Sequence, residues 1–169
     1  MTNFFYKVKQ VDEQYLTNYA KQFLKEHYGI YLSVPVVRNN RLRTSLGRFI
    51  FSYDSTPLRI ELSGNVLTYG ADEIILGVLR HECIHYAFYV QGRTETDGDA
   101  AFEAELRKHD APSTRTTKVG KFYRFTCMKC GKESEAAIKR LKTNPDKYRT
   151  TCCQAAIRIV GERTYNGLE

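Results

Sequence analysis

The sequence predicts an α+β fold, with helices on a small antiparallel sheet followed by a small β module. Along residues 11–110 the apolar patterns follow the order helix, strands, helix, helix, which is typical of helices packed on one sheet. Four of the five cysteines stand beyond residue 126. The charge is also uneven: residues 1–112 carry 13 basic and 14 acidic side chains, whereas residues 113–169 carry 13 basic and 5 acidic side chains.

The first part of the chain begins with a helix and continues as strands. Residues 11–28 place apolar side chains at helical spacing, Asp12 can cap their start, and Gly29 can end the helix. Runs of β-branched and aromatic residues separated by turn residues then predict strands over residues 30–37, 43–53 and 58–64.

Two further helices complete this part. Residues 71–92 are mostly apolar, Asp72 and Glu73 suit a helix start, and Gly92 suits its end. A third helix is predicted over 100–110 and stops at Ala111-Pro112. Residues 113–121 are polar and basic, as in a linker, and the stretches YRFTCMKCG and YRTTCCQAAIRIV beyond them predict two short hairpins.

The second helix contains the sequence HECIH. His81 and His85 are four residues apart, so both imidazoles project from one helical face and can bind one ion, with Glu82 beside them to hold a water molecule. The competing interpretation is a half-buried helix with two hydrogen-bonded histidines. Burial of two imidazoles and a carboxylate side by side without a metal is costly, which favours a metal site. Cys83 points away from that face and is expected in the core.

A third ligand has to follow His85 in the sequence, and spacing alone does not select it. His109 is expected at the surface, whereas a carboxylate suits a zinc site with two histidines. The candidates are Glu95, Asp97, Asp99, Glu103 and His109.

Composition bears on the cellular compartment. No apolar run is long enough for a transmembrane helix, and Met1–Lys7 lacks the apolar segment of a signal peptide. A cytoplasmic protein without membrane association is therefore expected, and a monomer is assumed. In a reducing cytosol, clustered cysteines favour metal binding over disulfides.

Four segments in this order resemble the SprT-like zinc metalloproteases, the family that includes the DNA–protein crosslink protease Spartan, and most closely the SprT-family proteins of Firmicutes. The segments are NNRLRTSLGRFIFS, LGVLRHECIHYAF, the stretch from QGR to DGDAAFEAELRKHDAPS, and the paired stretches YRFTCMKCG and KYRTTCCQAAIRIV. The resemblance implies a zincin-like (SprT) domain over residues 1–112, a linker over 113–121 and a basic zinc-ribbon-like module over 122–169.

The resemblance also implies two zinc ions, one catalytic and one structural. Family members usually place a histidine where this chain has Asp97, which makes the expected catalytic set His81, His85 and Asp97, with Asp99 or Glu95 as alternatives. In the ribbon Thr150 takes the place of a usual cysteine. A four-cysteine site is expected, with a three-ligand or metal-free ribbon as the alternative; its cysteines are Cys127, Cys130, Cys152 and Cys153.

The implied reaction is hydrolysis of a peptide bond. A metal at His81 and His85 would acidify a water molecule and polarise the scissile carbonyl, and Glu82 is expected to act as general base and then to protonate the leaving amine. Zincins commonly bind the substrate along an exposed strand edge, and the strand at 58–64 is the candidate for that role.

The basic C-terminal module predicts binding to DNA, including single-stranded DNA, because cations contact phosphates and aromatic rings stack on bases. The aromatic residues Phe125 and Tyr148 are also suited to the small core that such a module needs. The candidate DNA-binding residues are Lys121, Arg124, Lys129, Lys132, Lys139, Arg140, Lys142, Lys147 and Arg149.

The favoured function is a zinc metalloprotease that acts on proteins bound or crosslinked to DNA. Two alternatives remain open at this point. One is a nucleic-acid-binding adaptor that keeps the zincin fold with little protease activity, and the other is a regulatory protease for one repressor-like partner. Intact Glu82 favours an enzyme, because a purely structural zinc site has no use for a base.

Overall fold

Helix α1, Glu13–Tyr28, is capped at both ends as the sequence predicts. The Asp12 carboxylate accepts a hydrogen bond of 2.6 Å from the backbone of Tyr15, and Gly29 ends the helix with φ of 66°. The structure is a computed structural model that describes residues 12–113 and 117–168. The expectation about a signal peptide concerns Met1–Lys7, which lies outside these segments.

Within residues 12–113 the first sheet contains three strands, β1 (Val36–Asn39), β2 (Gly47–Phe51) and β3 (Pro57–Ser63), in the order β1-β3-β2. β2 and β3 form an antiparallel hairpin, but β1 pairs with β3 in parallel. The predicted antiparallel sheet is therefore wrong for β1. The chain reverses direction twice, once before β2 and once at the hairpin, so β3 runs in the same direction as β1.

The order of the strands also corrects the predicted substrate strand. β3 is central and hydrogen-bonded on both sides, so it has no free edge for a peptide. β2 is an edge strand, and helix α3 packs against it. A peptide that adds to this sheet beside the helix would pair with β2.

Residues 64–113 form three helices after β3. The first, α2 (Gly64–Tyr69), was not expected from the sequence; the Ser63 hydroxyl caps it by accepting a hydrogen bond from the backbone of Val66 at 3.1 Å. Helices α3 (Asp72–Val90) and α4 (Ala100–Lys108) confirm the two predicted helices. α3 is buried along most of its length and contacts α1, α4 and the first sheet.

In the described residues 117–168 the cysteine-rich part forms a second sheet of three antiparallel strands, β4 (Val119–Cys127), β5 (Glu133–Ala136) and β6 (Ile157–Asn166), in the order β5-β4-β6. β4 and β5 form the first expected hairpin. The second is reduced to one bridge between Arg149 and Ala156. The short helix α5 (Arg140–Thr143) and a 3-10 turn (Pro145–Lys147) precede this bridge.

The second sheet has its own small core, which contains the aromatic residues. Tyr123, Leu141 and Ile157 are buried, and Phe125 and Tyr148 pack against them. The expectation that Phe125 and Tyr148 contribute to the core is confirmed. Both rings are only partly buried, so each keeps some accessible surface.

The second sheet begins only a few residues after the end of the first part of the chain. β4 begins at Val119, so the end of the predicted 113–121 linker is strand, and the Val119 side chain is buried in the first core. At the far end of β6, the backbone of Ala71 donates a hydrogen bond of 3.1 Å to the carbonyl of Asn166. Within residues 12–113 and 117–168, no helix combines the length and the apolar character needed to cross a membrane.

Candidate active site

The two histidines of the HECIH sequence lie one turn apart on α3 and face the same side of the helix. The Nε2 atoms of His81 and His85 are 3.1 Å apart. His81 is buried, with 2% of its surface exposed, and the side chain of His85 is 20% exposed. The helix therefore brings both nitrogens to one point at the edge of the core, as the spacing predicts.

Asp97 completes this group from the loop between α3 and α4. Its Oδ1 atom lies 3.0 Å from His81 Nε2 and 3.6 Å from His85 Nε2. Gly92 (φ 70°) and Gly98 (φ 90°) adopt left-handed conformations on either side of it, which lets the loop return over the end of α3. The structure thus brings together the three residues that the resemblance suggested as a metal site.

The other candidate ligands make different contacts. Glu95 forms an ion pair with Arg93 at 2.7 Å, and Asp99 accepts a hydrogen bond of 2.8 Å from the backbone of Thr96. Glu103 accepts one of 3.2 Å from the backbone of Gly98. The acidic residues on either side of Asp97 therefore shape the loop instead of joining the histidines.

His109 does not lie at the surface, contrary to the expectation from its position at a helix end. It is 8% exposed and packs edge-on against Phe23 and His27. Its Nε2 atom lies 3.1 Å from Glu105. His109 is buried because Phe23, His27 and Tyr28 of α1 pack on its ring, a contact that the local sequence does not reveal.

Two neighbours orient the histidine rings. His81 Nδ1 lies 2.8 Å from the carbonyl oxygen of Pro112, which can only accept, so Nδ1 carries the proton and Nε2 presents its lone pair. The Phe102 ring stacks on His85 with centroids 4.3 Å apart. No sequence signal pointed to Pro112, since a backbone carbonyl leaves no trace in residue identity.

The donor atoms fit a zinc ion. The Nε2 lone pair of His81, the Nε2 atom of His85 and the Asp97 carboxylate form an electron-rich group whose separations are 3.0, 3.1 and 3.6 Å. Tetrahedral zinc with bonds of about 2.0 Å to nitrogen and oxygen holds its ligand atoms about 3.3 Å apart. Burial, together with the neighbouring His81, lowers the pKa of His85, which favours the neutral imidazole that binds metals.

Glu82 lies beside this group and is buried. The residue is 3% exposed. Burial, and to a smaller extent the negative charge of Asp97, raise the pKa of Glu82 to about 8, although a backbone hydrogen bond from Phe49 lowers it. Strand β2 approaches closely at Gly47, where an added Cβ would lie 2.9 Å from both Cγ and Oε1 of Glu82. Neither Gly47 nor Phe49 was identified from the sequence as part of the site.

A cleft of about 430 Å³ opens over these residues. One wall is the edge strand β2, the floor is α3, and the other wall is the loop that carries Asp97. Its lining residues include Gly47, Arg48, Phe49, Phe51, Glu82, His85, Phe88, Tyr89, Arg93 and Asp97.

Cys83, on the opposite side of α3, is fully buried as expected, and burial raises its pKa.

A second group of potential metal ligands lies in the second sheet. The sulfur atoms of Cys127, Cys130, Cys152 and Cys153 all lie within 4.8 Å of one another. The Thr150 hydroxyl donates a hydrogen bond of 3.3 Å to Cys127, and this contact and the backbone amides of Cys130 and Lys129 lower the pKa of the Cys127 thiol. The adjacent pair Cys152-Cys153 thus reaches the same point, and Thr150 contacts a sulfur instead of acting as a ligand.

We call residues 117–168, which contain the second sheet and the four clustered cysteines, the cysteine module. The candidate DNA-binding residues all lie at its surface. Arg124 forms an ion pair with Glu133 at 3.0 Å, and Lys142 forms one with Glu162 at 3.1 Å. All nine predicted side chains are exposed: Lys121, Arg124, Lys129, Lys132, Lys139, Arg140, Lys142, Lys147 and Arg149. Their positions are compatible with contact to a polyanion.

Comparison with known proteins identifies relatives along most of the chain. A family model described as the SprT-like family matches residues 9–119. The chain is 33% identical over 149 residues to a "Protein SprT-like" of Streptococcus sanguinis, which covers 85% of this chain and 96% of that protein. A protein of the same description in Bacillus subtilis is 30% identical over 127 residues, which cover 72% of this chain and 80% of that protein. A "Protein SprT-like" of Bacillus cereus is 27% identical over 157 residues, which cover 90% of this chain and 99% of that protein. No solved structure matches the chain.

Proposed function

Since the chain belongs to the SprT-like family, we propose that it is a zinc-dependent metallopeptidase that hydrolyses peptide bonds in proteins bound or crosslinked to DNA. One observation carries the proposal: the buried carboxylate of Glu82 lies in the same cleft as His85 and Asp97. A structural metal site needs ligands only, whereas a hydrolase needs a base beside them.

In this proposal His81, His85 and Asp97 hold zinc, and Glu82 transfers protons. Bound zinc would polarise the scissile carbonyl and acidify the attacking water. Glu82 takes a proton from that water and delivers it to the leaving amine. The Pro112 carbonyl keeps the His81 ring in the tautomer that presents Nε2.

The peptide substrate would bind in a zincin-like manner, extended along the free edge of β2. This strand lines the cleft from Gly47 to Phe51 and has β3 on its other side. Backbone hydrogen bonds along an edge strand hold any extended segment without regard to sequence. Gly47 leaves the space that lets the edge pass directly over Glu82.

The cysteine module would recruit the enzyme to DNA. Its four sulfur atoms form a group that could hold a structural zinc, and its exposed lysines and arginines could neutralise phosphates. Partly accessible rings such as Phe125 and Tyr148 could stack on unpaired bases. In this proposal the protein acts in the cytoplasm as a monomer, on protein substrates already bound to DNA.

The test compares the wild-type chain with Glu82→Gln, both loaded with zinc, on a DNA-bound protein substrate. General base catalysis contributes roughly 10²–10⁴-fold, so Glu82→Gln is expected to lose at least about 100-fold of the cleavage rate while zinc content stays the same. Glu73→Gln, an exposed change on the same helix, is the matched control and keeps its activity. If the zinc-loaded wild-type protein binds DNA but cuts neither itself nor the substrate, the chain is an adaptor and not an enzyme.

A further inference from the structure

Two stacked aromatic rings stand at one end of the cleft. Phe51 of β2 and Tyr89 of α3 have centroids 5.0 Å apart and planes inclined by 21°. Phe49 touches both rings, at 5.7 Å from Phe51 and 5.4 Å from Tyr89. We call Phe49, Phe51 and Tyr89 the aromatic wall. All three line the cleft that also holds Glu82 and His85.

Phe51 packs against both Phe49 and Tyr89, although the residue is 52% exposed. Phe51 follows Phe49 by two residues on β2, so both rings project from the same face of the strand into the cleft. The Tyr89 hydroxyl donates a hydrogen bond to the carbonyl of Ser55, which ties α3 to the hairpin loop. A large apolar ring that is rigidly held and half exposed inside a cleft is suited to bind another apolar group.

We propose that the aromatic wall binds an apolar, preferentially aromatic, side chain of the peptide substrate and thereby sets the sequence preference of cleavage. This inference rests on the proposed peptidase function and names a substrate class for it. The wall contacts the side chain of a bound peptide, so Phe51 and Tyr89 are specificity-determining residues and take no part in proton transfer.

The geometry of the strand defines where that side chain lies in the substrate. Gly47 passes Glu82, and Phe51 follows four positions later on the same strand. Strands rise about 3.4 Å per residue, so Phe51 lies roughly 14 Å along the edge from Gly47 and roughly 7 Å beyond Phe49, whose backbone hydrogen-bonds to Glu82. A peptide paired with β2 would therefore present to the wall a side chain a few residues from the bond that is cut.

The charges around the cleft favour a peptide over a nucleic acid at this position. Two arginines line the cleft, but Arg48 forms an ion pair with Glu61 at 2.7 Å and Arg93 forms one with Glu95 at 2.7 Å. Each cation therefore has a carboxylate partner within the protein, which weakens its attraction for phosphate. Stacking on a base would lack the phosphate contacts that usually accompany it.

The experiment uses the full-length, zinc-loaded chain and a fluorogenic peptide series in which one residue, phenylalanine or serine, is moved along an otherwise constant sequence. At one position of the series, the wild-type kcat/KM is expected to be at least about ten-fold higher for the phenylalanine peptide than for the serine peptide, as for other apolar subsites. In Phe51→Ala this ratio falls toward one, and in Phe51→Leu most of it remains. Tyr53→Ala removes a fully exposed ring two residues away and keeps the wild-type ratio.

Binding of the same peptides to Glu82→Gln, measured by fluorescence anisotropy, separates this inference from the proposed function. If no peptide is cut but the phenylalanine peptide binds more tightly and loses this advantage in Phe51→Ala, the inference holds and the peptidase proposal fails. Equal cleavage and equal binding of both peptides would overturn the inference alone. It would also be overturned if Phe51→Ala weakened binding of a single-stranded oligonucleotide and left the peptide ratio unchanged.

Discussion

His81 Nδ1 donates a hydrogen bond of 2.8 Å to the carbonyl oxygen of Pro112, a residue that follows it by 31 positions. Pro112 lies against α3 at Gly77, where an added Cβ would be 3.0 Å from its ring, and Arg80 donates to the carbonyl of Asp110 at 2.7 Å. The segment that leaves α4 thus orients the first histidine of the site. Such contacts to the ligand rings fix both tautomer and direction.

Removal of the Asp97 carboxylate should empty the site on α3. Asp97→Ala is expected to lower zinc affinity there by at least about 10-fold, because only two nitrogens remain within reach of one ion. Zinc per chain, measured after dialysis, should fall from two equivalents to one. Glu95→Ala, in the same loop but paired with Arg93, should retain two. Equal zinc content in both variants would exclude Asp97 as a ligand.

The adjacent cysteines should both contribute to the second site. Cys152→Ser and Cys153→Ser are each expected to release one of two zinc equivalents, since the four sulfur atoms lie together and Cys130 is only 3.6 Å from Cys152. Release can be followed with a colorimetric chelator. Cys83→Ala, in the core around α3, should keep both equivalents. If the wild-type protein holds a single equivalent and Cys152→Ser retains it, the four cysteines bind no metal.

A methyl group at residue 47 should disturb the base without unfolding the protein. In Gly47→Ala the new Cβ would lie 2.9 Å from Glu82, so the carboxylate must move, and the cleavage rate is expected to fall by about 10-fold or more. Gly161→Ala is the matched control, because nothing lies within 4 Å of its Cβ position on β6. Peptide cleavage and thermal unfolding of both variants provide the measurement. An active Gly47→Ala with normal kcat would contradict the assigned position of Glu82.

Stability at low pH should depend on Glu61. Burial raises its pKa, but hydrogen bonds from Asn39, Arg59 and Arg48 outweigh this and hold the pKa at about 2 in the folded protein. Because the folded pKa lies below the ordinary value of 4.5, ionised Glu61 stabilises the fold above that value. This contribution, up to about 3 kcal/mol, is lost as the pH falls toward 2.

The comparison of wild-type protein with Glu61→Gln isolates this effect from other groups that titrate. At pH 7 the variant should be less stable, since Arg48, Arg59 and Asn39 lose their charged partner. The difference in the free energy of unfolding by urea should shrink between pH 5 and pH 2. A difference that stays constant over that range would refute the assignment.

DNA binding should depend on the cysteine module and on salt. Lys132→Gln combined with Lys139→Gln removes two exposed cations and is expected to weaken binding. The slope of log affinity against log salt concentration should become shallower by about one for each phosphate that is no longer neutralised. Lys21→Gln combined with Lys25→Gln makes the same charge change on α1 and should have little effect. Fluorescence anisotropy at several salt concentrations gives both quantities, and binding that hardly changes with salt would contradict phosphate recognition.

Local patterns predicted much of this molecule because they depend on near neighbours in the sequence. The cap at Asp12 and the terminator Gly29 define α1, and the spacing of His81 and His85 places two imidazoles on one face of α3. The family resemblance directed attention to Asp97 among several acidic residues, and the loop geometry brings that residue to the histidines. None of these predictions required knowledge of long-range contacts.

Residue order alone was enough to predict the main helices, the shared helical face of His81 and His85, and the division between an almost neutral first part and a basic second part. It did not reveal that β1 runs parallel to β3, that β2 is the edge strand beside the cleft, or that His109 is buried. Nor did it reveal that the Pro112 carbonyl orients His81 and that Phe51 faces the cleft. These features arise from the three-dimensional packing of distant segments, and such packing leaves no periodic signal in either segment.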